Sequence, residues 1–302
     1  MVYELGIQTR GVWHRHAARQ FAKLEFRNNI LTAGILARLF HKNLRADQLS
    51  AFLSDLLQYV AHQSKVLRAP RHGPRSLPSE RRDLLIYLAL ARFDGRPTLG
   101  HLLLPLQRDI RALFPSYAQA CKQADCLLFS VGKPKKVDAA CTASFIGKKT
   151  PEALYVHASA IDQLPASLRV FEGCARAYIG RVEGANVVKL NRLEPRISYL
   201  SYPAFEDDPH PALAQSLSVH LQTFRVRTRD YSNTGNPPIL HRKETFLAPE
   251  HRLRAKFARL TAAEEAKGLL DESNRIGTRN QWEQILSKKG LALRGHRLVL
   301  RR

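Results

Sequence analysis

Basic side chains dominate this sequence and set the strictest limit on how it can fold. Lys and Arg total 48 against 26 Asp and Glu, which gives a formal net charge of +22 over 302 residues. Charges of one sign repel one another and oppose compactness, so such an excess usually has a polyanionic partner. Lys or Arg also interrupts every apolar stretch, and none is long enough to cross a bilayer. We expect a cytoplasmic protein whose partner is nucleic acid.

The distribution of apolar residues and prolines predicts an α+β protein with two domains and a linker. Apolar residues from Leu49 to Val60 recur at three- and four-residue steps, which favours a helical N-terminal domain over residues 1–67. Residues 68–82 hold three prolines and five arginines, a composition typical of a basic linker. Residues 83–302 then alternate helical and strand patterns, which predicts a mixed domain around a small antiparallel sheet.

Within residues 83–302 the periodicity assigns individual elements. The predicted strands are residues 153–156, 187–190 and 197–202. The predicted helices are residues 83–90, 102–113, 166–179, 250–260, 262–270 and 279–288, the last ended by Gly290 at the position after the C-cap.

The segment from Leu217 to Arg229 carries the most specific strand pattern. Its apolar residues alternate on one face and then change phase after Gln222, which predicts a β-bulge or a turn near Gln222 and Thr223. Beyond that point Arg225, Arg227 and Arg229 share one face, at about 7 Å per two residues. This spacing is comparable to that of phosphates along one nucleic-acid strand. The face is either a phosphate-binding row or an ordinary solvated strand surface.

Several common catalytic and cofactor-binding motifs are missing from the sequence. No two of the 16 glycines flank a single residue, so neither the dinucleotide fingerprint nor a methyl-donor glycine loop is present. Lys148 and Lys149 follow Gly147 without the Ser or Thr of a phosphate-binding P-loop. We assign these two lysines to phosphate contacts and expect no bound cofactor and no metal.

Two polar segments remain as candidate sites. In the acidic segment from Phe205 to Pro211, Asp207 and Asp208 either form a turn and helix cap or, with Glu244, hold a divalent metal in a nuclease centre. In the proline-stiffened segment from Asn236 to Glu244, His241, Arg242 and Lys243 form a dense string of donors. Because Lys243 and Glu244 are adjacent rather than one residue apart, we favour phosphate binding over catalysis there.

From about Arg81 onward the chain resembles the C-terminal half of the bacterial DNA phosphorothioation-associated methyltransferases. The matching segments, in the same order, are residues 83–93, 153–157, 171–176, 198–203, 208–213 and 236–244. The methyl-donor-binding domain that gives this family its name has no counterpart here, because residues 1–70 lack its glycine-rich loop. The resemblance therefore implies a context of bacterial DNA modification or defence, but neither the methyltransferase activity nor any catalytic residue carries over from it.

Together these features predict an accessory or targeting protein that binds DNA, with RNA as the alternative ligand. The rival hypotheses are a metal-dependent nuclease that uses Asp207, Asp208 and Glu244, and a structural subunit that grips nucleic acid within a larger protein complex. The predicted nucleic-acid contacts are Arg225, Arg227, Arg229, His241, Arg242, Lys243, Lys148 and Lys149.

Overall fold

The computed structural model describes residues 77–271 and 275–301. These residues divide into two compact units, one ending at Ala124 and the other beginning at Asp125. The described residues form helices and antiparallel sheets, so the predicted α+β class is confirmed. The predicted helical domain of residues 1–67 and most of the linker lie outside the described residues. In the described part of the chain, no helix is long and apolar enough to span a membrane.

The described part of the first unit is helical. Its elements are α1 (Leu77–Leu90), the 3-10 turns Ala91–Asp94 and Leu99–His101, α2 (Leu104–Leu113) and the start of α3 (Tyr117–Ser130). Helix α1 begins inside the segment predicted to be linker. Pro78 falls in its first turn, where a missing backbone N–H leaves no hydrogen bond unmade.

The second unit contains the rest of α3 and four further helices. These are α4 (Pro134–Ala143), α5 (Ala166–Ile179), α6 (Arg254–Ala266) and α7 (Arg279–Lys288). Helices α5 and α7 have the predicted bounds, and Gly290 follows the C-cap of α7 at φ +64°, a left-handed conformation that glycine adopts freely. The sequence predicts two helices where α6 is one, because buried Thr261 continues the helix and bonds its hydroxyl to Glu244.

A six-stranded antiparallel sheet organises the second unit. Its strands lie in chain order and are β1 (Lys148–Lys149), β2 (Ala153–His157), β3 (Val187–Asn191), β4 (Arg196–Ser201), β5 (Gln215–His220) and β6 (Arg225–Asp230). Strands β7 (Leu291–Leu293) and β8 (Leu298–Leu300) form a separate hairpin. The predicted strands correspond to β2, β3 and β4.

The two faces of the large sheet differ because side chains alternate along each strand. One face is apolar and lies against α5, whose buried Glu172 accepts a 3.0 Å hydrogen bond from Tyr199 on β4. On the other face, the strand register aligns a polar row, one residue per strand: Lys148, Tyr155, Lys189, Ser198, Ser218 and Arg227. At about 4.8 Å per strand step this row is about 24 Å long.

Two apolar clusters hold the segments that follow β4. The first joins Val187 and Leu200 of the sheet to Tyr202, Phe205, Leu213, Leu240, Phe246, Leu247 and Phe257. The second surrounds α7 and contains Ile239, Leu269, Leu270, Ile276, Trp282, Leu286 and Leu291. The neighbouring residues Ile239 and Leu240 belong to different clusters, so the chain passes from one to the other immediately before His241.

The turn into β1 depends on a glycine. Gly147 has φ +96°, and a Cβ there would lie 2.6 Å from the Tyr155 carbonyl oxygen and 2.7 Å from Val156 Cγ2. We predict that Gly147→Ala lowers the free energy of unfolding by about 2–4 kcal/mol, from left-handed strain plus overpacking. Gly290→Ala is the matched control, because it has positive φ but open space, and should cost only about 1 kcal/mol. Urea unfolding measures both, and equal losses would contradict the steric argument.

Candidate functional site

Strands β5 and β6 form the hairpin that carries the predicted arginines. The chain turns over Leu221–Phe224, so the predicted change of phase near Gln222 and Thr223 is a turn. In the register, Arg225 lies opposite His220, Arg227 opposite Ser218 and Arg229 opposite Ser216. Every residue of β6 is exposed. We call Arg225, Arg227 and Arg229 the arginine edge; their predicted position on one strand face is confirmed.

An aromatic pair closes the turn end of this hairpin. The rings of Phe224 and Tyr178 lie edge to face with centroids 5.2 Å apart, and the Tyr178 hydroxyl donates a 3.1 Å hydrogen bond to the Phe224 carbonyl. Phe224 adopts φ +54°, a left-handed conformation that costs a non-glycine residue about 1–2 kcal/mol. Both rings nevertheless remain half exposed, at 58% for Phe224 and 50% for Tyr178. The aromatic pair therefore offers ring surface at the turn end of the hairpin, on the side of the sheet that α5 covers.

The polar row extends from the arginine edge across the sheet. The Ser198 and Ser218 hydroxyls are 2.8 Å apart, and the Lys189 ammonium lies 5.3 Å from the centre of the Tyr155 ring. Lys148 ends the row with its ammonium 5.6 Å from the Phe246 ring centre. Burial, with the nearby Arg242 charge, lowers the pKa of Lys148. Lys148 therefore shares the face of the arginine edge as a half-buried group.

Lys149 lies on the opposite face of the sheet from Lys148, since consecutive strand residues alternate. Its ammonium donates a 2.6 Å hydrogen bond to the Thr142 carbonyl at the end of α4. Although Lys149 is exposed, it does not line one surface with the arginine edge. The sequence pair Lys148–Lys149 is thus divided between two faces.

The donor string from His241 to Lys243 is mostly internal, contrary to the surface role predicted for it. His241 is 7% exposed and Lys243 is 2% exposed. Arg242 between them adopts the left-handed conformation with φ +56°, and its guanidinium pairs with the Glu265 carboxylate. Burial removes the His241 and Lys243 side chains from any surface that nucleic acid could contact, so we exclude them from the proposed interface.

Lys243 instead donates hydrogen bonds to the backbone of the acidic segment from a buried position. Its ammonium donates to the carbonyls of Phe205 at 2.7 Å and Asp208 at 2.5 Å, and lies 3.1 Å from His296 Nε2. The same group sits 3.9 Å from the centre of the Phe257 ring. Burial lowers the pKa of Lys243 to about 7, against the opposing effect of the Asp208 charge. This lysine fixes the segment that leads to His210.

A buried polar cluster, composed of His210, His241 and Glu264, lies where the two apolar clusters meet. His210 Nε2 is 2.6 Å from a Glu264 carboxylate oxygen, and His210 Nδ1 is 3.2 Å from the Leu240 carbonyl. His241 Nε2 is 2.7 Å from the Ile276 carbonyl. Burial, and then the neighbouring His210, lowers the pKa of His241 to about 3, so this imidazole is neutral at physiological pH. The Trp282 ring packs against both imidazoles, with centroids 4.6 and 4.7 Å away.

The three acids of the nuclease hypothesis are not brought together as metal ligands. Asp207 is exposed, an Asp208 carboxylate oxygen lies 3.6 Å from the Arg279 guanidinium, and buried Glu244 accepts a hydrogen bond from Thr261 at 2.9 Å. Among residues 77–271 and 275–301, the group of three ligating side chains close enough to share an ion is the buried polar cluster. Geometry therefore gives the nuclease hypothesis no support.

Sequence patterns alone did not identify the buried polar cluster. His210 and His241 both stand in proline-containing segments, but 31 positions separate them and Glu264 lies in an ordinary helical sequence. No metal-binding spacing links the three residues.

A cavity of about 290 Å³ also opens beside the acidic segment, and its lining includes Asp208, Leu213, Tyr231, Ser232, Thr234 and Arg279.

No family model matches this sequence, and neither the curated proteins nor the solved structures contain a match.

The free energy of unfolding should depend on pH through His157 of β2. Its ring lies 4.6 Å from the Phe205 ring, and burial, followed by the nearby His251, lowers its pKa to about 4. In the unfolded chain a histidine titrates near 6.5. The unfolded state therefore takes up a proton first as pH falls, so the stability from neutral His157 is present above about pH 6.5 and is lost toward pH 4.

Replacing His157 by Gln should accordingly remove part of the acid sensitivity. We expect the fall in unfolding free energy between pH 7 and pH 5 to be smaller in the variant by about 1–2 kcal/mol. His241 and His296 also have lowered pKa values and remain in the variant, so some acid sensitivity persists. Urea unfolding at the two pH values measures the difference, and an unchanged pH dependence would contradict the assignment.

Proposed function

We propose that this protein binds nucleic acid, with DNA as its ligand, through the arginine edge and the adjoining polar row. The observation that carries the proposal is that every residue of β6 is exposed and that three guanidinium groups lie on one of its faces. Successive groups are spaced by two strand residues, about 7 Å, which suits phosphates along one strand. Guanidinium groups bind phosphate through paired hydrogen bonds as well as charge.

The charge of the arginine edge is available to a ligand. Among the described residues, no carboxylate pairs with Arg225, Arg227 or Arg229. In contrast, Arg196 on the same face pairs with Glu194 at 2.7 Å, and Arg192 pairs with Asp138 at 2.6 Å. A polyanion can therefore meet the three guanidinium groups without displacing an internal partner. The net charge of +22 adds a long-range attraction in the same direction.

The aromatic pair supports a contact with bases in addition to phosphates. Proteins that bind single-stranded nucleic acid combine a basic track with aromatic rings on which bases stack. Phe224 directly precedes Arg225, and its ring lies at the turn end of the hairpin against Tyr178 of α5. We infer that an unpaired base stacks on Phe224 while its neighbouring phosphates contact the arginine edge.

The resemblance to the phosphorothioation-associated proteins supports a setting in bacterial DNA modification or defence. In that setting the chain would serve as an accessory or targeting protein that delivers partners to DNA. No described group of side chains supplies a nuclease centre from Asp207, Asp208 and Glu244. Binding is therefore preferred to cleavage, and RNA remains the alternative ligand to be compared directly.

The first test replaces Arg225, Arg227 and Arg229 together with Gln. If about six basic groups meet phosphates, wild-type affinity for DNA should fall about a hundredfold to a few thousandfold between 50 and 200 mM salt. In the triple variant, affinity should drop for all sequences and the slope of log affinity against log salt should flatten by about two to three units. Fluorescence anisotropy with labelled oligonucleotides, DNA and RNA in parallel, measures both quantities.

Two controls distinguish binding at the arginine edge from a general effect of positive charge on the protein. Changing Lys133, Lys135 and Lys136 to Gln also removes three positive charges, from exposed positions at the start of α4. Thr228→Ala changes the opposite face of β6. Both controls should leave the salt slope close to that of wild type. Equal effects of the two triple variants, or a folded arginine variant that binds normally, would refute this interface.

The second test concerns Phe224. Because base stacking is worth about 1–3 kcal/mol per base, Phe224→Ala should weaken binding of single-stranded DNA by roughly fivefold to a hundredfold. The salt slope should not change, since no charge is removed. Tyr178→Phe is the matched control, because it keeps the neighbouring ring and removes only the hydroxyl. A loss of affinity that appears equally with duplex DNA would count against stacking.

A further inference from the structure

We propose that His210, His241 and Glu264 bind a divalent first-row transition-metal ion of the Zn²⁺ type. One nitrogen or oxygen from each residue lies within 4.8 Å of the other two. All three side chains are buried, Glu264 completely. The proposed ion site uses none of the residues of the arginine edge and is independent of nucleic-acid binding.

The hydrogen bonds of His241 leave one ring nitrogen without a partner. Its Nε2 lies 2.7 Å from the Ile276 carbonyl, which can only accept, so Nε2 carries the proton. Nδ1 is then the unprotonated nitrogen, and it is buried without a hydrogen-bond partner. A neutral imidazole that donates one N–H to a backbone carbonyl and offers the other nitrogen is the usual arrangement of a metal-binding histidine.

His210 is oriented in the same way. Its Nδ1 is 3.2 Å from the Leu240 carbonyl, which places the proton of a neutral ring on Nδ1 and the lone pair on Nε2. Nε2 faces a Glu264 oxygen at 2.6 Å, so one proton must lie between these two acceptors when no ion is bound. A metal ion would replace that proton, with the nitrogen and the oxygen moving apart to coordinate it.

Unsatisfied atoms converge on the same place. Among the described residues, four buried side-chain atoms lack a hydrogen-bond partner, and three of them belong to Glu264, His241 and the adjoining Trp282. Leaving a buried polar atom unpaired costs free energy, so each such atom requires a partner, such as a bound water or an ion. Coordination would satisfy the second Glu264 oxygen or His241 Nδ1 directly. A hydrogen-bonded His210–Glu264 pair alone leaves both unsatisfied.

The donor set indicates which ion fits. Two imidazoles and one carboxylate suit Zn²⁺, Co²⁺, Ni²⁺ or Fe²⁺, whereas Mg²⁺ and Ca²⁺ prefer oxygen ligands alone. Three protein ligands also leave a coordination position for water or a substrate. Arg242 and Lys148 carry positive charge near His241, so the Glu264 carboxylate has to supply the compensating negative charge. Replacing that carboxylate by an amide should therefore abolish tight binding.

The test uses the full-length protein after chelation and titrates it with Co²⁺, whose visible absorption reports its ligands, and with Zn²⁺ in competition. We expect one ion per chain, with absorption typical of a low-symmetry site, and a higher melting temperature in the presence of Zn²⁺. Glu264→Gln and His241→Gln should each lower the affinity at least about a hundredfold. Circular dichroism verifies that the variants fold.

Glu172→Gln provides the matched control, because Glu172 is equally buried and also has an unpartnered carboxylate oxygen. It should bind Co²⁺ like wild type. A wild-type protein that gives no such absorption overturns the proposal, and this measurement needs no variant. Binding that survives Glu264→Gln would place the ion elsewhere, on thiols or surface histidines, and equally overturn it. The arginine-edge variant should retain the metal, so the two proposals fail separately.

Discussion

The internal ammonium of Lys243 is the interaction on which the arrangement of the second unit depends. Removing a positive charge from water is costly, and the cost is offset here by two backbone carbonyls and a ring face. Those carbonyls belong to Phe205 and Asp208, so the lysine fixes the chain immediately before His210. His241, two residues before Lys243, is buried as well, with its Nε2 2.7 Å from the Ile276 carbonyl. The buried lysine thus holds the segment that carries His210 and lies close in sequence to His241.

The large sheet separates the apolar packing against α5 from the basic side chains of the polar row. Alternation places Leu154, Leu190, Ile197 and Val219 on the face that meets α5, while the basic residues of the polar row lie on the other face, beside Val187 and Leu200 of the first apolar cluster. Packing against α5 therefore desolvates none of the cations of the polar row. The repulsion among basic groups is left on a surface, where solvent screens it or a polyanion neutralises it.

The sequence predicted those parts of the fold that follow from local periodicity. Residues 166–179 and 279–288 show a helical repeat, and Arg225, Arg227 and Arg229 can share a face only in an extended strand. The segment that contains His241 and Lys243 is rich in polar residues, so the sequence analysis predicted that both side chains lie at the surface. The structure buries them. Their burial is decided by the left-handed backbone at Arg242 and by Phe257 and Trp282, which are distant in sequence. Such tertiary contacts leave no local periodicity to detect.

Strand β6 is hydrogen-bonded to β5 on one side, and among the described residues no strand pairs with its other side. An open strand edge is a template on which another chain can add a strand, and this is a common origin of aggregation. Three arginines on β6 oppose such an addition, because a second copy would bring three like charges into register with the first. The charges that we propose for a polyanionic ligand thus also oppose the addition of a further strand at β6.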